Sequence, residues 1–332
     1  MIGRLRSRTA PSIADLRERG ADQTGSGEKR EALFTEQMLM RFRHLVLRVR
    51  QPPMAGLSGE HRSRRKGLSP EFADFKAYVP GDDYRRIDWS AYARLDDLVI
   101  RESETTTEFD VHVLVDLSRS MDWASSGDLP TKLRHSLRLA GAIGYIALWH
   151  FDRMSLTPVA STAAQRFGPA QGRRSVLPML RYLERLTPGP EADLVSAINR
   201  YVFVRKRPGS LFVISDFLSD DMAGLETAAH GAATRGWDTV LLHVQDPAER
   251  DPAIMLPDTE TSDVADVERG DRMLLRADSA HLQQYRDERA IWIDHLQRLG
   301  GGLRTSYVPV STVDPVEQIM AGLMVDLGLV TR

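Results

Sequence analysis

The stretch VHVLVDLSRSMDW at residues 111–123 begins as an apolar run rich in Val and Leu and ends in Asp116, with Ser118 and Ser120 following at every second position. The run reads as a buried strand. Ser and Asp after a strand commonly serve as turn and N-cap residues, so Asp-x-Ser-x-Ser by itself is compatible with plain turn formation. A second apolar strand later in the chain, LFVISDF at 211–217, also ends in a carboxylate, Asp216. Two such strand ends favour a site over a turn.

Working outward, strands and helices alternate from residue 110 onward. TKLRHSLRLAGAIGYIALWH (131–150) places Leu133, Leu137, Ala140, Ile143 and Ala147 on one helical face. RMSLTPV and QRFG (153–168) suggest a short edge hairpin, and 175–186 and 192–203 are helical. A helix over 221–236 stops at Gly236 and leads into the strand DTVLLHV. A long helix around 279–299, a strand at 303–310 and a closing helix around 314–327 complete the pattern. Continuous apolar strands alternating with helices indicate an α/β fold, with a doubly wound, mostly parallel sheet covered on both faces. In such folds ligands sit beyond the carboxyl ends of the strands, where strand order reverses. The acidic stretch 246–276 lacks helical periodicity and reads as a β-rich or looped insertion on the rim.

Upstream of the sheet, residues 1–30 are polar and Gly/Ser-punctuated and read as a disordered arm. Residues 31–109 form an N-terminal helical/β extension, and 110–332 the α/β domain. Between Glu31 and Arg50 the apolar positions Leu33, Phe34, Met38, Phe42, Leu45 and Val49 recur at helical spacing. Arg41, Arg43, Arg48 and Arg50 on the other face, and HRSRRKG at 61–67, read as solvated charge rather than a nucleic-acid patch. The turn Pro80-Gly81 is followed by Asp82, Asp83, Arg85, Arg86, Asp88 and Arg94, a candidate ion-pair network with Trp89 as its apolar anchor. Exposed pairs stabilise little individually, so their density suggests a partner or interdomain surface.

The bulk numbers narrow the classes. The 332 residues carry 44 Lys plus Arg against 46 acidic residues, a net charge of -2, which gives no general argument for nucleic acid or an anionic membrane. There is no cysteine, which removes disulfides, thiol catalysis and Cys-ligated zinc together. No segment approaches 18 consecutive apolar residues and the N-terminus has no apolar signal core, so a cytoplasmic protein without a transmembrane segment is expected. There is no G-x-S-x-G elbow and no H-E-x-x-H helix, and GPAQGRRS at 168–175 has the wrong spacing for a phosphate loop. His112 and His243 lie within apolar strands and read as core histidines.

The oxygen-rich strand ends suit a hard divalent cation such as Mg²⁺ or Mn²⁺, which uses few carboxylates and keeps open positions. DLSRSM with the later ISDF resembles the metal-ion-dependent adhesion site of the von Willebrand factor A fold, itself a doubly wound sheet. The resemblance implies metal ligation by Asp116, Ser118, Ser120 and Asp216. The family's Thr is replaced by Ala192, with Asp193 beside it as a substitute ligand. The longer signature YVPGDDYRRIDW (78–89), about thirty residues before DLSRSM, is similar to the bacterial domain of unknown function 58 family, and the similarity runs over roughly 56–330. Members of that family carry a von Willebrand factor A-like domain and are commonly encoded beside MoxR-type AAA+ ATPases. The resemblance thus implies a non-enzymatic, chaperone-like adaptor that acts with such an ATPase on client proteins. The alternative is a metal-dependent hydrolase, for which Asp193 or Asp122 are the candidate bases.

Overall fold

The computed structural model describes residues 32–47, 72–79, 84, 87–95, 97–103, 109–160, 165–190, 193–205, 207–218, 221–254, 261–265, 272–276, 279–302 and 304–331. The expected arm at 1–30, the HRSRRKG segment, Arg48, Val49, Arg50 and Ala192 lie outside these residues. The strands in chain order are β1 (Val46–Leu47), β2 (Phe72–Ala77), β3 (Val99–Ser103), β4 (Asp110–Asp116), β5 (Arg153–Val159) and β6 (Phe167–Gln171). They continue with β7 (Ser210–Ser215), β8 (Asp238–Gln245), β9 (Thr261–Ala265), β10 (Arg272–Arg276), β11 (Thr305–Ser311) and β12 (Val330–Thr331).

The chain divides into two compact units, Met1–Pro52 with Phe109–Arg332, and Pro53–Glu108. In the larger unit a six-stranded sheet has the order β11-β8-β7-β4-β5-β6. All neighbours are parallel except the edge pair β5 and β6, which is antiparallel. The mixed α/β architecture with a mostly parallel sheet is therefore as the apolar runs indicated. From β4 the chain runs outward through β5 and β6, then returns to β7 on the other side of β4. Strand order thus reverses between β4 and β7, and Asp116 and Asp216 stand at the carboxyl ends of those two strands.

Every residue of β4 after Asp110, and every residue of β7 and β8, is buried. Alternate side chains feed two cores. Val111, Val113 and Val115 face the helix Lys132–Trp149, while Leu114 joins Leu211, Val213 and the helices Leu194–Val204 and Met222–Thr234. Each fully buried Val or Leu stabilises by roughly 1.5–3 kcal/mol, so this alternation holds helices to both sides. The helix Lys132–Trp149 is buried over almost its whole length, because further layers cover its outer side.

One of those layers differs from the sequence expectation. Among the described residues of the stretch 31–50, the helical spacing is realised as a six-residue helix, Glu36–Arg41, capped by the Thr35 hydroxyl. The chain then turns and Val46–Leu47 pairs antiparallel with β12. Leu45 still reaches the core by this route, joined by Leu47, in a geometry other than a helix. The extension belongs with the sheet: Leu33, Met38 and Phe42 pack into the same core as the helix Lys132–Trp149. Arg43 is exposed, with its guanidinium 4.7 Å above the Trp149 ring. The described residues of the 246–276 stretch include a short capped helix, Pro247–Arg250, and the antiparallel strand pair β9–β10. The closing helix spans Val316–Asp326 and contains a π-helical segment, Ile319–Leu323. Gly236 ends its helix with φ 86°, a left-handed position that glycine adopts without strain.

The smaller unit contains the β2–β3 antiparallel pair and the helix Trp89–Leu95. Pro80, Gly81, Asp82, Asp83, Arg85 and Arg86 lie outside the described residues. Asp88 is buried and caps the helix, its Oδ1 accepting the N–H groups of Ser90 (2.9 Å) and Ala91 (3.1 Å). Arg94 donates to the Ser90 carbonyl one turn back. Trp89 is 63% exposed, with its ring edge-on to Tyr92, and does not serve as a buried anchor. At the first turn of a helix headed by an aspartate cap, its ring points outward while Ala91 takes the buried position.

The strand histidines are core residues. His112 Nδ1 is 2.8 Å from the Tyr201 hydroxyl, and His243 Nδ1 is 2.7 Å from that of Tyr307. Burial pushes both imidazoles down to about 3 and His135 down to about 4, so all three are neutral at pH 7. A depressed histidine binds fewer protons folded than unfolded. Its contribution is present above the unfolded value of 6.5 and is lost as pH falls toward the folded value. Between pH 7 and pH 5 each should cost about 2 kcal/mol of stability. Urea unfolding at the two pH values should show the loss, and His243→Gln should reduce it; a flat profile would contradict neutral burial.

Candidate functional site at the carboxyl ends of β4 and β7

The rim begins with Asp116, the last residue of β4. Its carboxylate is buried and is satisfied from its own loop and from the neighbouring strand: Oδ1 accepts the Ser118 N–H (2.9 Å) and Oδ2 accepts the Ser215 hydroxyl (2.6 Å). The first bond is an Asx-turn, which folds the chain back immediately after the strand. The turn Arg119–Met121 follows and brings Ser120 beside Ser118, so that their hydroxyl oxygens are 2.8 Å apart. Ser118 and Ser120 are buried, while Arg119 between them is exposed. The loop is fastened to the next crossover by a bridge between Ser118 and Gly189.

Asp216 arrives from the end of β7. The chain turns there with Phe217 in the left-handed region, φ 51°. That conformation costs a bulky residue roughly 1–3 kcal/mol. It is offset by burial of the Phe217 ring and by donation of its N–H to the Ser215 hydroxyl oxygen (3.0 Å). Ser215 therefore links both strand ends, donating to Asp116 and accepting from Phe217.

A lysine completes the cluster. Lys132 is the first residue of the long helix after the loop, and its side chain is 1% exposed. Its ammonium donates to Asp216 Oδ2 at 2.8 Å and forms a very short ion pair with Glu249 Oε1. The Trp123 ring lies 6.0 Å from the ammonium, and the Trp123 carbonyl accepts the Lys132 N–H. Burial opposes the charge, but the two carboxylates outweigh it and raise the lysine above its ordinary range. Glu249 belongs to a capping box with Asp246: Glu249 Oε2 accepts the Asp246 N–H (3.0 Å), and Asp246 Oδ1 accepts the Ala248 N–H (2.9 Å). The other Asp246 oxygen accepts the Ser125 N–H (3.0 Å), returning to the serine loop.

Asp116, Ser118, Ser120 and Asp216 thus all stand at the reversal of strand order. Asp193 is directed elsewhere: it is exposed and caps its own helix, accepting the Ser196 N–H at 2.9 Å. Asp122 is exposed at the end of the Arg119–Met121 turn. Four participants were missed from sequence. Lys132 had a weak signal, since a lysine in the first turn of a helix opposes the helix dipole and calls for an anionic partner. The spacing of Asp246 and Glu249 is a capping box within a stretch read as acidic loop. Ser215 precedes Asp216 directly but lacked any local distinguishing feature.

The donor set is all oxygen. Cis ligands of a Mg²⁺ octahedron with bonds of about 2.0–2.1 Å are separated by about 2.9 Å, close to the spacing of the serine hydroxyls. Asp116 supplies the charge. Burial, and next the Asp216 charge, raise its carboxyl to about 6. A raised carboxyl binds more protons folded than unfolded, so its contribution to stability is lost as pH rises from about 4 through 6. Relative to the parent, Asp116→Asn in chelator should therefore gain stability as pH rises from about 4 to 8, by about 3 kcal/mol at most, measured by urea unfolding. The lost acceptor weighs on the variant at every pH, so the change with pH is what is read, and a stability difference that does not vary with pH would refute this electrostatic account.

Residues 74–290, which hold all of these groups, match the family described as Protein of unknown function DUF58. Among curated proteins, Uncharacterized protein Rv1480 of Mycobacterium tuberculosis is 29% identical over 179 residues, covering 53% of this chain and 56% of that protein. Uncharacterized protein Mb1516 of Mycobacterium bovis gives the same figures. The chain spans about half the length of the curated relatives it matches. With the family match extending over well more than half of its residues, the protein belongs to the DUF58 family.

Proposed function

We propose that this protein is a non-enzymatic adaptor with a von Willebrand factor A-like domain, whose β4–β7 rim binds Mg²⁺ or Mn²⁺ and engages an acidic side chain of a partner. The serine hydroxyl pair carries this assignment: two oxygens 2.8 Å apart, beside a buried carboxylate, at the strand-order reversal. Ser118 and Ser120 would be direct ligands and Asp116 the charged group behind them. Bound there, the cation supplies an electrophilic position for a partner's carboxylate. Arg119, exposed between the serines, is placed to pair with further acidic groups on that partner. In keeping with the family resemblance, the partners are a MoxR-type AAA+ ATPase and the client proteins on which the two act together. Among the described residues no helix is long and apolar enough to cross a membrane.

Calorimetric titration of chelator-stripped protein with Mg²⁺ and Mn²⁺ tests the rim. Binding is expected in the parent and should be abolished in Asp116→Ala, with an unchanged circular dichroism spectrum. Capture of the ATPase partner in the presence of Mg²⁺ should fall at least about tenfold in the same variant, which loses the negative charge behind the serine pair. Capture that is insensitive to both chelator and Asp116→Ala would remove the cation from the interaction. Metal-dependent turnover of a phosphoester or peptide panel, lost in Asp216→Ala, would instead establish a hydrolase at the same rim.

A further inference from the structure

We propose that Lys132 is a resident cation of this rim: its ammonium neutralises Asp216 and ties it to Glu249, so that a divalent ion is confined to the Asp116–Ser118–Ser120 corner. This deepens the cation-binding role proposed above and rests on it. Lys132 is thereby the residue that sets how tightly, and with which ligands, the rim takes a metal.

The position is unusual for a lysine. It opens an eighteen-residue helix, at the positive end of the helix dipole. It is also removed from water, and burying an ammonium is tolerated only with close anionic partners. Here those partners are Asp216, 2.8 Å away, and Glu249. The pairing has a direct consequence for ligation. Asp216 Oδ2 points to the ammonium and Oδ1 accepts the Leu218 N–H at 3.2 Å. Both oxygens of Asp216 are thus engaged, one of them by a cation, whereas those of Asp116 meet only the neutral Ser118 N–H and Ser215 hydroxyl, beside the serine hydroxyl pair. A tethered ammonium cannot diffuse away, so it holds the Asp216 side of the rim in one charge state. Removing it would expose a second carboxylate to the metal. Glu249 keeps the ammonium from swinging off: it is anchored through the Asp246 N–H, and its own carbonyl accepts the Tyr285 hydroxyl (2.7 Å). Lys132 is therefore a positioning residue, and a metal gains Asp216 only at the expense of this ion pair.

The test is Mn²⁺ titration followed by calorimetry and by the electron paramagnetic resonance of free Mn²⁺. The full-length parent is compared with Lys132→Met/Glu249→Gln, which removes the cation and one of its two carboxylates together. The double variant should bind Mn²⁺ at least about tenfold more tightly, because an unscreened carboxylate is returned to the site. Adding Asp216→Asn should cancel the gain. Equal or weaker binding by a folded double variant would overturn the inference, even if the parent bound Mn²⁺ through Asp116. Binding by the double variant but not the parent would uphold the inference and overturn the metal role of the parent rim. Should the double variant not fold, Asp216→Asn alone decides. Parent-like Mn²⁺ affinity supports neutralisation by Lys132, and a loss of tenfold or more makes Asp216 a ligand and sinks it.

Discussion

A carboxylate buried at the end of the central strand cannot be left to water, and the rim is organised around that constraint. Asp116 is reached by the N–H of Ser118, from its own loop, and by the hydroxyl of Ser215, from the neighbouring strand. The second bond depends on β4 and β7 running parallel and in register, with Val111 opposite Ser210 and Val115 opposite Ile214. A shift of one residue would turn the Ser215 side chain to the other face of the sheet. The two apolar cores enforce that register, so hydrophobic alternation along the strands determines whether the polar rim can form at all.

The same rim contains more negative charge than its burial permits without compensation. Asp216 and Glu249 meet at Lys132, and Asp246 closes the circuit through Ser125. Such a network need not add net stability over an apolar replacement, since desolvation of the ions opposes their attraction. What it does is fix geometry. The serine loop, the first turn of the long helix, the β7 end and the segment after β8 are joined through a few charged atoms, and none can shift without leaving another buried group unpaired.

The fold was legible because its signals are local. VHVLVD, SLFVIS and TVLLHV are each a continuous apolar run with turn residues close by, and Gly236 closes a helix where the periodicity ends. Asp116 and Asp216 were legible for the same reason: each is the residue at which an apolar strand stops. Lys132 was not, because its partners lie 84 and 117 residues away, and no periodicity encodes a contact across that distance. Asp193 does the common work of a helix cap, a role that its position just before the helix Leu194–Val204 allows. The N-terminal helix was overextended because Leu45 and Leu47 are buried whether the backbone is helical or extended; burial periodicity over a few residues does not separate the two.

The placement of Lys132 follows from packing at some distance from the rim. Its helix is held against the sheet on one side, and on the other by Leu33, Met38 and Phe42 from the N-terminal segment and by Val316, Ile319 and Met320 from the C-terminal one. Arg138, one turn and a half along the helix, donates to the Leu33 carbonyl (3.1 Å), and β1 pairs with β12 to join the two outer segments. The helix cannot rotate or slide without opening that core, and interiors packed at this density transmit such displacements rather than absorb them. An ammonium at the helix's first residue is consequently delivered to one point in space, where Asp216 and Glu249 receive it. The charge state of the rim is thus set by apolar contacts far along the helix, and loosening the N-terminal segment would be felt at Asp216 before it was felt at Asp116, whose bonds come from the strands and their loops alone.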